Sequence, residues 1–160
     1  MDVLRLSRDG VERRSPDDLD MLLKGVSTEK GDSTHKGVVW VDVPAWDDDA
    51  AAVLTERFGI HQRAAVDCAR RNPVPKVHVY PGHVFVVLHA PERGARGHVH
   101  YIELDQFIGP DWLITVHGPV NPVVRADVAL EETRAVARRL ETGRLRPASA
   151  PTCRSRSSPR

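Results

Sequence analysis

Eight histidines are the first residues in this 160-residue chain that suggest metal or catalytic chemistry. His98 and His100, on a predicted strand, would place two imidazoles on the same face about 7 Å apart, which is compatible with zinc ligation. No third ligand stands at a recognisable spacing, so the pattern favours solvent-facing strand residues over a metal site. Structural roles are predicted for His61, a potential helix cap, and for His78, His83, His89 and His117.

Cys68 is the candidate nucleophile. It lies on a predicted helix near Arg70 and Arg71, whose charges could lower the pKa of its thiol. No histidine or acid is fixed beside it by the local sequence, so an inert thiol is favoured. The sequence also lacks the P-loop, dinucleotide-binding, nucleophile-elbow and Cys-x-x-Cys motifs. We therefore predict that the protein is not an enzyme.

Charge and hydropathy limit the classes of partner. The first 133 residues carry 15 basic residues against 21 acids, whereas the segment from Arg134 onward carries 8 against one acid. An acidic body argues against a nucleic-acid-binding core and is compatible with divalent cations, while a basic tail could contact phosphate or a membrane surface. No apolar run approaches the roughly 20 residues of a membrane span, and the first residues do not resemble a secretion signal. With only two cysteines, these features predict a protein of the reducing cytoplasm.

The elements that must position these residues alternate between strands and helices. An Asp-Gly pair at residues 9–10 predicts a hairpin turn, and a helix is predicted from about residue 16 to 24, stopped by Gly25. The β-branched run 38–43 predicts a central strand covered on both faces. The tail from residue 146 is rich in Pro, Ser and Arg, which predicts disorder. The other predicted elements are helices at 50–58 and 62–71, a meander of about four strands over 76–117, and a helix over 123–142.

Four segments share their order and spacing with the motifs of one known family. Trp40-Val41-Asp42-Val43 corresponds to a W-[VI]-[DN]-[LV] strand, and Phe58-Gly59-Ile60-His61 with Val66-Asp67 corresponds to F-G-[IL]-H-x5-E-D. Pro75-Lys76-Val77 with Tyr80 corresponds to R-P-K-[VI]-E-x-[YF], and residues 104–115, LDQFIGPDWLIT, to a strand, turn and strand ending in L-[IV]-T-V. Over roughly residues 38 to 143 the chain thus resembles the cytoplasmic N-terminal domain of CorA-type magnesium transporters.

The resemblance implies an α/β fold in which a mixed β-sheet is sandwiched between helical layers, on the cytoplasmic side of a homopentameric channel. It also implies weak, regulatory binding of Mg²⁺ or other divalent cations between subunits, and Asp67 matches one of the ligands. The acid that precedes this ligand in the family is Val66 here, which weakens the local negative field. The residues alone allow the alternative that Asp67 is an exposed helix acid or a partner for Arg63, Arg70 or Arg71.

Several parts of the family pattern are absent from this sequence. The long stalk helix, which supplies the partner carboxylate, the two transmembrane helices and the G-M-N signature do not occur in it. After residues 138–146 the sequence TCRSRSSPR resembles a truncated or frame-shifted gene product. We therefore expect a CorA-like cytoplasmic α/β domain over residues 1–145 and a disordered basic tail over 146–160. This form would not transport ions, would reach a membrane only through the missing segments, and would have no nucleic-acid partner.

Two alternatives remain open. One is a zinc-handling member of the same superfamily that uses His98 and His100. The other is an acidic domain whose Arg-rich tail binds nucleic acid or an anionic membrane, with an affinity that falls steeply with salt and is lost when the chain is cut after Gly143.

Overall fold

A mixed sheet runs through the centre of the fold. The computed structural model describes residues 1–7, 10–28, 37–119 and 124–146. In these residues the strands are β1 (Asp2–Ser7), β2 (Gly10–Arg14), β3 (Val38–Val43), β4 (Lys76–Tyr80), β5 (His83–Arg93), β6 (Val99–Ile108) and β7 (Trp112–Val116). They follow the order β2-β1-β3-β7-β6-β5-β4 across the sheet. The pair β3 and β7 is parallel and the other neighbours are antiparallel, which confirms the predicted sheet type.

Helices join the strands. The described residues form α1 (Leu19–Thr28), α2 (Asp48–Phe58), α3 (Gln62–Cys68), α4 (Ala126–Ala129) and α5 (Glu131–Glu141), with short 3-10 turns at Pro16–Asp18 and Ala95–Gly97. The predicted stop at Gly25 is wrong, because burying Leu19 and Leu22 outweighs the cost of about 1 kcal/mol for a helical glycine. The single helix predicted over 123–142 is also wrong, since the buried Leu130 separates α4 from α5.

The first face of the sheet is covered by α1, α2 and α3. Alternate side chains of β3 point into this layer, and Val39 and Val41 are fully buried there. The caps of α2 follow from its sequence: Asp47 Oδ1 accepts a hydrogen bond from the backbone N of Ala50 at 2.7 Å, and Gly59 ends the helix at φ 62°. Because these caps fix both ends of α2, they also fix the chain that leads into α3.

The second face is covered over only part of its width by the described residues. Leu4, Leu6 and Trp40 pack there against Ala137 and Leu140 of α5. Farther across the sheet, the same face carries exposed apolar side chains on β4, β5 and β6, namely Val77, Val79, Leu88 and Ile108. The predicted arrangement, a mixed sheet between helical layers, is therefore confirmed, and the second layer is narrower than the first.

Two predicted elements near the ends of the chain lie partly outside the described residues. The two strands of the predicted hairpin are present, although residue 9 of its turn lies outside the described residues. The tail predicted to be disordered lies outside them from residue 147 onward. In the described ranges, no helix has both the length and the apolar character that crossing a bilayer requires.

Candidate functional site

Asp67, the predicted metal ligand, lies near the end of α3 and faces the first residue of β4. The helix is capped at its start by His61, whose Nδ1 accepts from the backbone N of Arg63 at 3.1 Å. Beyond its end, the Asn72 side-chain amide donates to the backbone carbonyls of Asp67 and Arg70, so the helix stops three residues earlier than predicted. These contacts fix both ends of the short helix, and Asn72 also joins its C-terminal end to the sheet by donating hydrogen bonds to Glu103 of β6.

The Asp67 carboxylate is held by one ion pair. Lys76 Nζ lies 2.8 Å from Asp67 Oδ2, and the two side chains are 28% and 32% exposed. The alternative that Asp67 pairs with Arg63, Arg70 or Arg71 is therefore wrong, because its partner is Lys76. The ammonium group lies at Oδ2, so a metal ion that binds this oxygen must displace it.

The ion pair lies in an open surface concavity of about 590 Å³ between α3 and β4. Its walls include Arg63 and Val66 beside the pair. Two basic side chains against one acid make the surroundings less favourable to a divalent cation than the family motif implies, and Val66 supplies no compensating charge. Across the described ranges, no three His, Cys, Asp or Glu side chains are grouped to hold a metal ion. The described lining of this concavity therefore offers a single carboxylate, that of Asp67.

Behind α3, two further acids of β6 lie on the first face of the sheet. Glu103 is buried, and its carboxylate accepts from the backbone N and the side-chain amide of Asn72 at 2.9 and 2.6 Å. Asp105 is fully buried beneath Cys68 and Lys76. Burial, reinforced by the charge of Glu103, raises the pKa of Asp105 to about 7, although the Cys68 thiol and Lys76 oppose the rise. The interior behind the Asp67 site thus contains a carboxyl group that gains a proton near neutral pH.

Cys68 is an inert thiol. Its side chain is fully buried, and burial together with the neighbouring Asp105 raises the pKa of the thiol. The sequence suggested the opposite shift through Arg70 and Arg71, whose side chains are exposed. Since the thiolate is the nucleophilic form, this environment disfavours covalent chemistry at Cys68.

The histidines of the described ranges are not gathered into a metal centre. His98 is exposed, and the His100 ring lies so close to Gly94 that a Cβ added there would clash with it. His61 stacks on Tyr80 with ring centroids 4.4 Å apart, and burial lowers the pKa of His83 on the other side of that tyrosine. The zinc alternative therefore lacks a third ligand in the described part of the chain.

Comparisons with known proteins agree with the fold. Residues 35–150 match the family model described as "CorA-like Mg2+ transporter protein". A curated relative, "Putative metal ion transporter YfjQ" of Bacillus subtilis (strain 168), is 30% identical over 96 residues, which are 60% of this chain and 29% of the relative.

Similar folds occur among solved structures. The full-length CmaX protein superposes with a TM-score of 0.63 at 16% identity, covering 94% of this chain and 41% of that one. The CorA magnesium transporter from Methanocaldococcus jannaschii gives 0.59 at 12% identity, covering 92% and 39%, and its soluble domain gives 0.51 at 13% identity, covering 84% and 46%. The chain spans less than half the length of each of these relatives.

Proposed function

Since this chain belongs to the CorA-like Mg²⁺ transporter protein family, we propose that its folded domain is the divalent-cation-sensing part of a metal ion transporter. The domain would lie on the cytoplasmic side, Mg²⁺ would be the regulatory ion, and Asp67 would be the ligand that this chain supplies. One observation supports this assignment most: Asp67 is a surface carboxylate held by a single ion pair that another cation can replace.

The site would be completed by a second copy of the chain or of its longer form. Mg²⁺ keeps several waters and is usually held by one or two carboxylates, so one aspartate per subunit is enough for weak sensing. Among the described residues that line this concavity, Asp67 is the only carboxylate, so a further carboxylate would have to come from a neighbouring subunit. We therefore propose a homo-oligomer, a pentamer as in the resembled family, and assign transport to segments of the longer relatives outside the matched region.

Sensing in this scheme is a competition between two cations for one carboxylate. Without Mg²⁺, the ammonium group of Lys76 neutralises Asp67 and holds α3 to β4. With Mg²⁺ bound, Lys76 is released. A ligand shifts a conformational equilibrium only by its difference in affinity for the two states. In this scheme the two states differ in whether Lys76 is paired with Asp67 or released from it.

Lys76→Gln is expected to tighten Mg²⁺ binding at least threefold, because it removes the competing cation from Asp67. Binding to the unmodified chain is expected to be millimolar or weaker with one carboxylate. The measurement is a titration of the ¹⁵N-labelled chain with MgCl₂, following the amide signals of α3 and β4.

The matched control is Arg63→Gln, which removes the same charge from the same concavity while leaving the ion pair between Asp67 and Lys76 in place. Equal tightening by both substitutions would show that general electrostatics, and not competition at Asp67, governs binding. The double variant Asp67→Asn, Lys76→Gln should lose the response. Retention of Mg²⁺ binding there would contradict the proposed function.

A further inference from the structure

The two outer edges of the sheet differ in how they are protected from pairing with another chain. At the β2 edge, Arg13 forms an ion pair with Glu141, and Arg14 forms one with Glu12. Charged side chains on an edge strand disfavour the addition of a further strand. At the opposite edge, β4 contains no Asp, Glu or Arg, and the ammonium group of its single lysine, Lys76, is engaged by α3. The β4 edge therefore lacks the protection that the β2 edge has.

The backbone of β4 has unpaired polar groups at two positions. The turn at 81–82 closes the hairpin with Tyr80 and His83 as a hydrogen-bonded pair, and along antiparallel strands such pairs alternate with pairs that are not hydrogen-bonded. Val77 and Val79 occupy the positions that are not hydrogen-bonded, so their N–H and C=O groups point away from β5. No backbone hydrogen bond outside the strand ladders joins either residue to another described residue. Val77 and Val79 thus form an open edge with free donors and acceptors.

The side chains at this open edge are apolar and exposed. Val77 is 63% exposed and Val79 is 79% exposed, and both lie on the second face of the sheet, beyond the width that α5 covers. A segment that pairs here must therefore be an extended strand with apolar side chains on that face and free backbone groups at the same positions. The open edge of β4 in a second copy of the chain meets each of these requirements.

We infer that two copies of this chain pair antiparallel through β4, about a two-fold axis at His78. In this register Val77 of each copy lies opposite Val79 of the other, so each outward N–H of one copy meets an outward C=O of the other. Lys76 of each copy lies opposite Tyr80 of the other, which avoids a pair of like charges across the contact. The same patch serves both copies, as in an isologous dimer.

This inference goes beyond the proposed function, because the contact needs neither a metal ion nor the segments of the longer relatives. The contact comes from one short strand of each copy, so it is smaller than the roughly 800 Å² per partner of a stable interface. We therefore expect weak association, with a dissociation constant on the order of 100 µM.

Sedimentation equilibrium of the full chain between about 20 µM and about 1 mM, in EDTA, tests the inference. The expected result is a monomer–dimer equilibrium, with amide hydrogen exchange at Val77 and Val79 at least threefold slower at the highest concentration than at the lowest. A chain that stays monomeric at about 1 mM would overturn the inference. So would a dimer in which these two amides exchange as fast as in the monomer. Because EDTA removes divalent cations, failure here is distinguishable from failure of the proposed function.

Two double substitutions on β4 test the register. Val77→Lys with Val79→Lys places like charges opposite each other across the contact, so it should weaken dimerisation at least tenfold. Val77→Lys with Val79→Glu places opposite charges there, so it should dimerise at least tenfold more tightly than the double lysine variant. Val99→Lys with Val136→Lys, at exposed valines outside β4, is the matched control for added charge and should stay within twofold of the wild type. Equal dimerisation by the two β4 variants would overturn the proposed pairing.

Discussion

Replacing Asp105 by asparagine is expected to increase the free energy of unfolding at pH 8 by about 4 kcal/mol and to remove most of its pH dependence between pH 4 and 7. The carboxyl group has a pKa of about 7 in the fold against an ordinary value of 3.8. Each unit of such a difference corresponds to about 1.4 kcal/mol, and the fully buried group is not screened by water.

The sign follows from proton binding. Between pH 3.8 and about 7 the folded chain holds a proton on Asp105 that the unfolded chain has already lost. Stability is therefore greatest below the unfolded value and falls as the pH rises through the folded value, after which it levels off. Asparagine has no proton to lose, so the variant should resemble the wild type near pH 4 and exceed it at pH 8.

Urea unfolding at pH 5, 6, 7 and 8 measures this effect. The matched control is Glu56→Gln, at an exposed position of α2, which should keep the wild-type slope. If Asp105→Asn also kept that slope, Asp105 would have to be ionised in the folded chain below pH 5, and the interior behind α3 would have to stabilise its charge.

Asp42→Ala is expected to decrease the free energy of unfolding by about 3 kcal/mol. The carboxylate of Asp42 accepts hydrogen bonds from Thr115, His117 and Thr133, and thereby joins β3, β7 and α5. Trp40 Nε1 donates to Thr115 Oγ1 at 3.0 Å and extends the network toward the side chains that pack on the second face of the sheet. Alanine would leave several buried donors without an acceptor, each of which costs about 1 kcal/mol or more.

Thr133→Val provides the comparison for Asp42→Ala. It keeps the shape of the side chain and removes one hydroxyl, so its cost should be about 1 kcal/mol. Urea unfolding gives both values, and amide hydrogen exchange in α5 should show the larger loss of protection in Asp42→Ala. Equal costs for the two substitutions would show that Asp42 does not hold the network together.

Much of the sheet could be predicted because its signals are local. The Pro81-Gly82 turn between two apolar runs predicts the hairpin of β4 and β5, which pair in register from Lys76 with Val87 to Tyr80 with His83. Capping residues likewise predict α2. Gly25 failed as a stop signal because its effect on a helix is small compared with tertiary packing.

The contacts of the sites were harder to predict because they join distant elements. Asp67 was found through a motif, but its partner Lys76 lies on another element, and the nearby arginines were the more evident choice. The acid that contacts the Cys68 thiol could not be identified from the local sequence, because Asp105 comes from β6. The sequence does contain a signal that predicts the position of these acids. Glu103, Asp105 and Phe107 alternate along one strand, so a buried Phe107 places both acids on the same, buried face of the sheet.

Whether Asp67 is a divalent-cation ligand can be measured by paramagnetic broadening with Mn²⁺, which shares with Mg²⁺ a preference for carboxylate oxygens. Substoichiometric MnCl₂ is expected to broaden the amide signals of residues 66–68 and 76–77 first. Excess MgCl₂ should reverse the broadening, and Asp67→Asn should prevent it. Broadening centred instead on the acids at residues 47–49, and unchanged in Asp67→Asn, would contradict the assignment of Asp67.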